Sequence, residues 1–269
     1  MACAPACRRI SAPAPVSSCR PPTALTSSAP RTDAGRPVRR DVPSLPTPVL
    51  ASWRAAPAVS DGPAASWIAP DGCRDLICHQ APGAPPRWFV SDLDDHARTV
   101  VLAAGHTAAG WRLRPGTAIA TDALLASLRG CEPAPDVVQA RLADFAIVPA
   151  AVAEAIAALT DAGGSTGEAS STHRVTAAAA DLGVAPRTLQ RLLLAATGRP
   201  PSFWLMLVRA RRAARALAGA ASLAAVAHAH GYADQAHMSR DLGRWFGLTP
   251  TALRRDPARV ARLADSGCD

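Results

Sequence analysis

The sequence predicts an α+β N-terminal domain followed by an all-α C-terminal domain, the latter made of two helix-turn-helix subdomains joined by a linker helix. Three observations carry this. Up to Gly116 short apolar runs alternate with Pro/Gly turns, whereas from Thr117 the apolar residues recur at helical spacing. A stretch of small residues, Gly163-Gly164-Ser165-Thr166-Gly167, reads as a flexible linker. Charge changes sign across it: residues 172–262 carry fourteen Arg against four Asp, and residues 49–171 carry eight Arg against thirteen acids.

Residues 1–48 are mostly Pro, Ala, Ser and Arg, and lack the large apolar side chains needed to offset ordering entropy. They read as a disordered arm, or as a stretch upstream of the true start of translation. Arg8-Arg9 is followed by no apolar run, so no export signal is expected. Strands are expected at Ser66–Ala69, Asp75–Cys78, Trp88–Val90, Thr99–Ala103 and Gly110–Leu113, with turns at Pro70-Asp71-Gly72 and Pro82-Gly83. Four of the six Trp fall here, as suits a small half-buried sheet. Three helices follow, on Ile119/Leu124/Leu125/Leu128, Val137/Val138/Leu142/Phe145 and Val152/Ile156/Leu159. Residues 49–162 are thus expected to be a sensing or dimerisation domain, 163–171 a linker and 172–262 a helical domain.

In that last block Gly and Pro mark the helix ends. Val175–Leu182 stops at Gly183, Pro186–Thr197 stops at Gly198, and Pro200-Pro201 opens a longer helix, Ser202–Ala218. Leu223–His230, capped by Ser222, stops at Gly231. Gln235–Phe246, capped by Asp234, stops at Gly247, and Thr249-Pro250 starts a last short helix. A short helix, a Gly-containing turn and a helix of twelve residues therefore occur twice. This is the form of a unit that projects its second helix into the major groove. Two basic copies on one chain suggest a monomer spanning two successive groove segments.

The global charge of +8 and pI of about 9.9 say less than this distribution. All 29 basic residues are Arg, with no Lys and no Asn, as codon bias in a GC-rich bacterial genome would give. The basic C-terminal block beside an acidic middle is the asymmetry expected when one part meets an anionic polymer. No apolar run is long enough to span a membrane, so no membrane partner is expected. Seven Cys without a CxxC or zinc-ligand spacing point to a reduced, cytoplasmic setting with no metal and no cofactor. His228 and His230, two apart on a helix, face different sides and cannot share a metal.

The stretch Gly231-Tyr232-Ala233-Asp234-Gln235-Ala236-His237-Met238-Ser239-Arg240, with Trp245-Phe246-Gly247-Leu248-Thr249-Pro250 after it, resembles the signature of AraC/XylS-type transcriptional regulators. Leu182-Gly183-Val184 and Pro186-Arg187-Thr188-Leu189-Gln190-Arg191 resemble the family's first copy, so the likeness covers residues 172–256. Pro70-Asp71-Gly72-Cys73-Arg74-Asp75-Leu76-Ile77 and Gly110-Trp111-Arg112-Leu113-Arg114-Pro115-Gly116 are similar to the N-terminal domain of one subgroup of these regulators. The resemblance implies a nucleoid-associated regulator that binds double-stranded promoter or operator DNA. Its further implied partners are RNA polymerase, a small-molecule effector and a second copy in a homodimer.

The resemblance places DNA contacts in the first recognition helix at Arg187, Thr188, Gln190 and Arg191. In the second it places them at Gln235, Ala236, His237, Ser239, Arg240 and Arg244. Helical spacing agrees: Arg187, Gln190, Arg191 and Leu194 share a stripe opposite Leu189, Leu192 and Leu193, and Met238, Leu242, Trp245 and Phe246 sit at core spacing. Arg and Gln are the favoured bidentate readers of guanine and adenine. Leu194 departs from the family, which usually has a basic or polar residue there. Of the linker-helix arginines Arg209, Arg211, Arg212 and Arg215, some are expected to touch phosphate and some to solvate or to bridge to the sensor; any contact made by Arg209 is expected to be to phosphate.

No catalytic residue is expected. An alternative keeps the same DNA-binding module but makes the chain a cysteine-based DNA alkylation-repair or thiol-sensing protein. Cys73 before Arg74 and Cys78 before His79 are the relevant thiols, though neither matches the Pro-Cys-His-Arg type of motif. A third reading, a protein-binding adaptor, is disfavoured by the basic block.

Overall fold

The protein is described by a computed structural model over residues 47–57, 62–164, 170–219 and 221–263. The arm expected at 1–48 lies outside these residues except for Thr47 and Pro48, as does most of the expected linker. Within the unit Ser44–Asp269, β-rich and helical regions follow one another along the chain, as the sequence predicts.

The first part runs β1 (Val49–Ala55), β2 (Ala64–Ile68), β3 (Arg74–Gln80), β4 (Arg87–Val90), β5 (Arg98–Leu102), β6 (Thr107–Leu113) and β7 (Ala118–Ile119). Then come α1 (Thr121–Ser127), α2 (Pro135–Phe145), β8 (Ala146–Ile147) and α3 (Ala150–Gly164). An antiparallel sheet has the order β1-β6-β3-β4, while β2 pairs with β5 and β7 with β8 in separate ribbons. Ile119, expected on a helix, lies instead in the two-residue β7, opposite Ala146. Strand β1 is not among the expected strands; it pairs antiparallel with β6. There Trp53 lies opposite Gly110. A Cβ on Gly110 would collide with the Trp53 indole, so the sheet needs glycine at that point.

Two apolar cores result. The first joins the sheet to α1 and α2 through Leu76, Cys78, Trp111, Leu113, Leu124, Leu128, Val138 and Leu142. Trp88 stacks on Trp111 with ring centroids 5.7 Å apart and donates its Nε1 to the Cys131 carbonyl at 3.0 Å. The second core lies among the C-terminal helices α4 (Ser171–Asp181), α5 (Pro186–Thr197), α6 (Pro201–Ala216), α7 (Leu223–Ala229), α8 (Gln235–Phe246), α9 (Pro250–Arg254) and α10 (Pro257–Arg262). It also takes in Val152, Ala155, Ile156 and Leu159 of α3, a helix that the sequence reading grouped with the sheet. The apolar face of α3 covers α6, and its last turn includes Gly163 and Gly164 of the glycine run.

Helix α6 is the axis of the second core, with Trp204, Leu207, Val208, Ala210, Ala213 and Ala214 fully buried. The strand region reaches into this core. Leu93 is buried there, and Trp67 of β2 packs on Phe246 at 6.4 Å between ring centroids, with the Arg259 guanidinium 5.5 Å from its centre. A polar chain links the two regions. Trp53 Nε1 donates to Asp75 at 3.2 Å, and Arg112 bridges Asp75 at 3.2 Å and Asp71 at 2.9 Å. Next to Asp71, the Pro70 carbonyl accepts from the buried Arg211 of α6 at 3.0 Å. Burial pushes the Asp71 carboxyl above the ordinary range, opposed by Arg112.

Candidate nucleic-acid interface

The two helix pairs α4–α5 and α7–α8 share one local construction. At the end of α4, Gly183 N–H donates to Ala180 and Val184 N–H to Ala179. At the end of α7, Gly231 N–H donates to His228 and Tyr232 N–H to Ala227. Both are Schellman closures, with glycine in the left-handed conformation at φ 66° and 69°. The following helices start differently: α5 uses Pro186 in its first turn, and α8 uses Asp234, whose side chain accepts from His237 N–H at 2.6 Å. Both end at a left-handed glycine, Gly198 or Gly247.

Aligning the N-cap residues Ala185 and Asp234 matches the helices residue by residue. Leu189 and Leu193 correspond to Met238 and Leu242, all fully buried. Arg187, Gln190, Arg191 and Leu194 correspond to Ala236, Ser239, Arg240 and Gly243. The outer stripe of α5 is therefore long-chained and polar with one leucine, whereas three of the four matched positions of α8 hold small residues.

Arg187, Thr188, Gln190 and Arg191 are all solvent-exposed. Neither arginine of α5 forms an ion pair among the described residues, so both guanidinium forks are available to a partner. They line one wall of an open groove of about 590 Å³, whose other walls are Ser171, Thr172 and Val175 of α4 and Pro200, Pro201 and Ser202. The hydroxyls of α4 were not singled out by the sequence reading; the polar run Ser170-Ser171-Thr172 was their signal. On α8, Gln235, Ala236, Arg240 and Arg244 are exposed. The other two are partly buried. Ser239 donates its hydroxyl to the Gln235 carbonyl at 2.8 Å, and the His237 ring stands edge-on to Tyr232 at 5.2 Å.

The arginines of α6 are sorted by the fold. Arg209 pairs with Asp241 at 3.0 Å and lies over the Tyr232 ring at 4.4 Å, while the Tyr232 hydroxyl donates to the same carboxylate at 2.9 Å. Burial and Asp241 together push the Tyr232 hydroxyl well above its ordinary value. Arg209 thus ties α6 to α8, and the expectation that it touches only phosphate fails because its side chain points into the protein. Arg211 is 1% exposed and clamps Pro70 and Leu263. Arg199, in the turn before α6, donates to the Leu93 carbonyl at 2.7 Å and pairs with Asp95 at 2.9 Å. Arg254 donates to the carbonyls of Leu217 and Ala221. Where arginine meets a neutral carbonyl its charge remains in the electrostatic field, but its fork is no longer free for phosphate.

The thiols are placed for packing. Cys78 is 2% exposed and Cys73 is 7% exposed. Burial, and secondarily Glu132, push the Cys78 thiol up to about 11, which disfavours the reactive thiolate. No group of three His, Cys, Asp or Glu among the described residues is placed to hold a metal, and no helix there is long and apolar enough to cross a membrane.

Residues 178–256, from within α4 to beyond α9, match a family model described as a helix-turn-helix domain. Residues 178–256 thus form a helix-turn-helix domain. Several solved structures are similar to parts of the chain. One is a transcriptional regulator with an AraC-type DNA-binding domain from Chromobacterium violaceum, at 24% identity over 41% of this chain and 98% of that one, TM-score 0.36. Another is the DNA-binding domain of the global transcriptional factor AdpA in complex with a target DNA, at 28% identity over 42% and 96%, TM-score 0.32. ToxT from Vibrio cholerae O395 aligns over 80% of this chain and 97% of its own at 9% identity, TM-score 0.40. None of the curated proteins compared with the chain matches it.

Proposed function

We propose that the chain is a sequence-specific, double-stranded-DNA-binding transcriptional regulator whose two helix pairs act as two helix-turn-helix subdomains linked by α6. The observation that carries this is the outer stripe of α5: Arg187, Gln190 and Arg191 are exposed side by side on a helix whose opposite face is buried. Such a stripe presents forked donors and an amide at the spacing of base edges in a major groove. The helix-turn-helix family match over residues 178–256 supports the same reading. Arg240, Arg244 and the exposed start of α8 supply the second contact, with Ser239 and His237 in supporting positions.

The strand region acts on DNA binding through its contacts with both pairs. The 93–97 segment holds Arg199 at the end of the first pair, and Ala97 N–H donates to the Trp245 carbonyl of the second at 2.7 Å. A small-molecule effector or protein partner that prefers one arrangement of this segment shifts the placement of the two recognition helices. RNA polymerase and a second copy of the chain are the partners such a regulator uses in the cytoplasm.

The test is enrichment of bound duplexes from a random pool, followed by titrations of variants on the selected site. Gln190→Ala and Arg191→Ala each lower affinity by about 1–3 kcal/mol and relax preference at one base pair. Arg255→Ala, an exposed arginine outside both recognition helices, leaves base preference unchanged. Equal weakening of every sequence by Gln190→Ala and Arg191→Ala would make α5 a clamp on the DNA backbone and refute base reading by this helix.

A further inference from the structure

Resting on the proposed DNA-binding function, we infer that Leu194 is a specificity-determining residue that reads the C5-methyl group of a thymine in the half of the operator under α5. Leu194 is 41% exposed, and with Val184 it is one of two large apolar side chains left exposed among the described residues of the C-terminal region. Val184, in the turn after α4, does not line the groove formed by Arg187, Gln190 and Arg191. Leu194 does, and it stands one helical turn beyond Gln190 and Arg191 on the same stripe. The fold buries Leu189 and Leu193 of this helix fully and leaves Leu194 to water.

The flanking chemistry names the occupant. Arg187 and Arg191 draw in an anionic polymer, and along the major-groove floor of DNA the thymine methyl is the apolar group a leucine can cover. One turn of helix is about 5.4 Å and successive bases are about 3.4 Å apart, so the thymine lies within about two base pairs of the pair read by Gln190 and Arg191. The matched residue of α8 is Gly243, which has no side chain with which to make this contact. The methyl dependence therefore belongs to one half of the site only.

The experiment uses the full chain and the duplex selected from a random pool, with each thymine in turn replaced by deoxyuridine, which lacks only the methyl. The wild-type protein loses about fourfold in affinity at one thymine, the worth of about 0.8 kcal/mol for one covered methyl-sized group. Leu194→Ala binds the unmodified duplex correspondingly more weakly and is indifferent to deoxyuridine at that position, while its responses elsewhere match wild type. Identical deoxyuridine responses with and without Leu194 overturn the inference and leave DNA binding standing, as does a selected site with no thymine under α5. A pool that yields no bound duplex refutes the DNA-binding function itself, and the inference with it.

Discussion

Replacing Arg211 by Met tests whether a single buried guanidinium ties the strand region to the helical region. The Met side chain keeps most of the aliphatic stem and removes the fork. In the structure that fork donates to the Pro70 carbonyl at 3.0 Å and to the Leu263 carbonyl at 2.6 Å, with the side chain 1% exposed. Hydrogen bonds from a charged donor are each worth about 1.5–3 kcal/mol, and a buried acceptor left without a partner costs a further share. Against this, the variant no longer has to desolvate a cation, a relief of several kcal/mol that Asp71 offsets only in part. With the two bonds worth about 3–6 kcal/mol together and the desolvation relief set against them, the balance favours a net loss of about 2–4 kcal/mol. For a chain of this size that lowers Tm by roughly 5–15 °C. The assay is thermal and urea unfolding of the full chain, with Arg212→Met as the neighbour control. Arg212 is partly exposed and makes no hydrogen bond or ion pair among the described residues. An Arg211→Met protein as stable as wild type would show that desolvation outweighs the two bonds and that the clamp does not hold the regions together.

Three further outcomes follow from the packing. A fragment starting near residue 148 binds duplex DNA with a steep inverse dependence on salt and melts well above one starting at residue 168, because only the longer one keeps Val152, Ile156 and Leu159 over α6; equal melting of the two would show that α3 is dispensable. Iodoacetamide at neutral pH labels the partly exposed Cys131 in the folded protein and spares Cys78 until unfolding, and rapid labelling of Cys78, read by peptide mass spectrometry, would restore the thiol-chemistry alternative. The His79 ring, 3.1 Å from His106, has its pKa lowered by desolvation first and by His106 and Arg87 next, so the fold prefers it neutral; its contribution is full above the unfolded value of about 6.5 and is lost as pH falls below that, and His79→Gln should flatten a stability profile taken from pH 8 to 5.

The C-terminal elements were legible in the sequence because backbone chemistry marks them. Gly198 and Gly247 end α5 and α8 where left-handed glycines were expected, and Pro186 and Asp234 open them. Strands β3 to β6 were found within a few residues because Leu76-Ile77, Phe89-Val90, Val100-Val101 and Trp111 stand between turn signals. What the sequence concealed depends on long-range partners. Strand β1 is fixed by a glycine 57 positions later in the chain, through the register Trp53 to Gly110. Helix α10 begins at Asp256-Pro257, a cap and first-turn proline that the periodicity reading passed over. The fate of the α6 arginines was invisible, since helical spacing shows that Arg209 and Arg211 point apart without showing that Asp241 and Pro70 wait for them. Exposure of Arg187, Gln190 and Arg191 could be read from the leucines opposite; the turning of Ser239 back onto its own helix could not.

The unequal outer stripes of α5 and α8 bear on the form of the operator. A palindromic site mirrors a protein dyad, and a direct repeat mirrors two like recognition surfaces. Neither symmetry exists between Arg187, Gln190, Arg191, Leu194 and Ala236, Ser239, Arg240, Gly243. The two helices nevertheless pack on one core around α6, and the Arg209–Asp241 pair ties α8 to α6 as well. Two helices on one core but unequal in chemistry suit an asymmetric site with its stronger base preference in the half under α5. Under α8 the side chains are short, and Gly243 meets no neighbour that would exclude a Cβ, so the fold itself does not demand a glycine there. A helix-interior glycine costs about 1 kcal/mol relative to alanine, a cost the protein carries on the exposed face of α8. Short side chains and a bare backbone permit close approach to phosphate, which under the proposed function suits the second helix to anchor the orientation in which the first one reads.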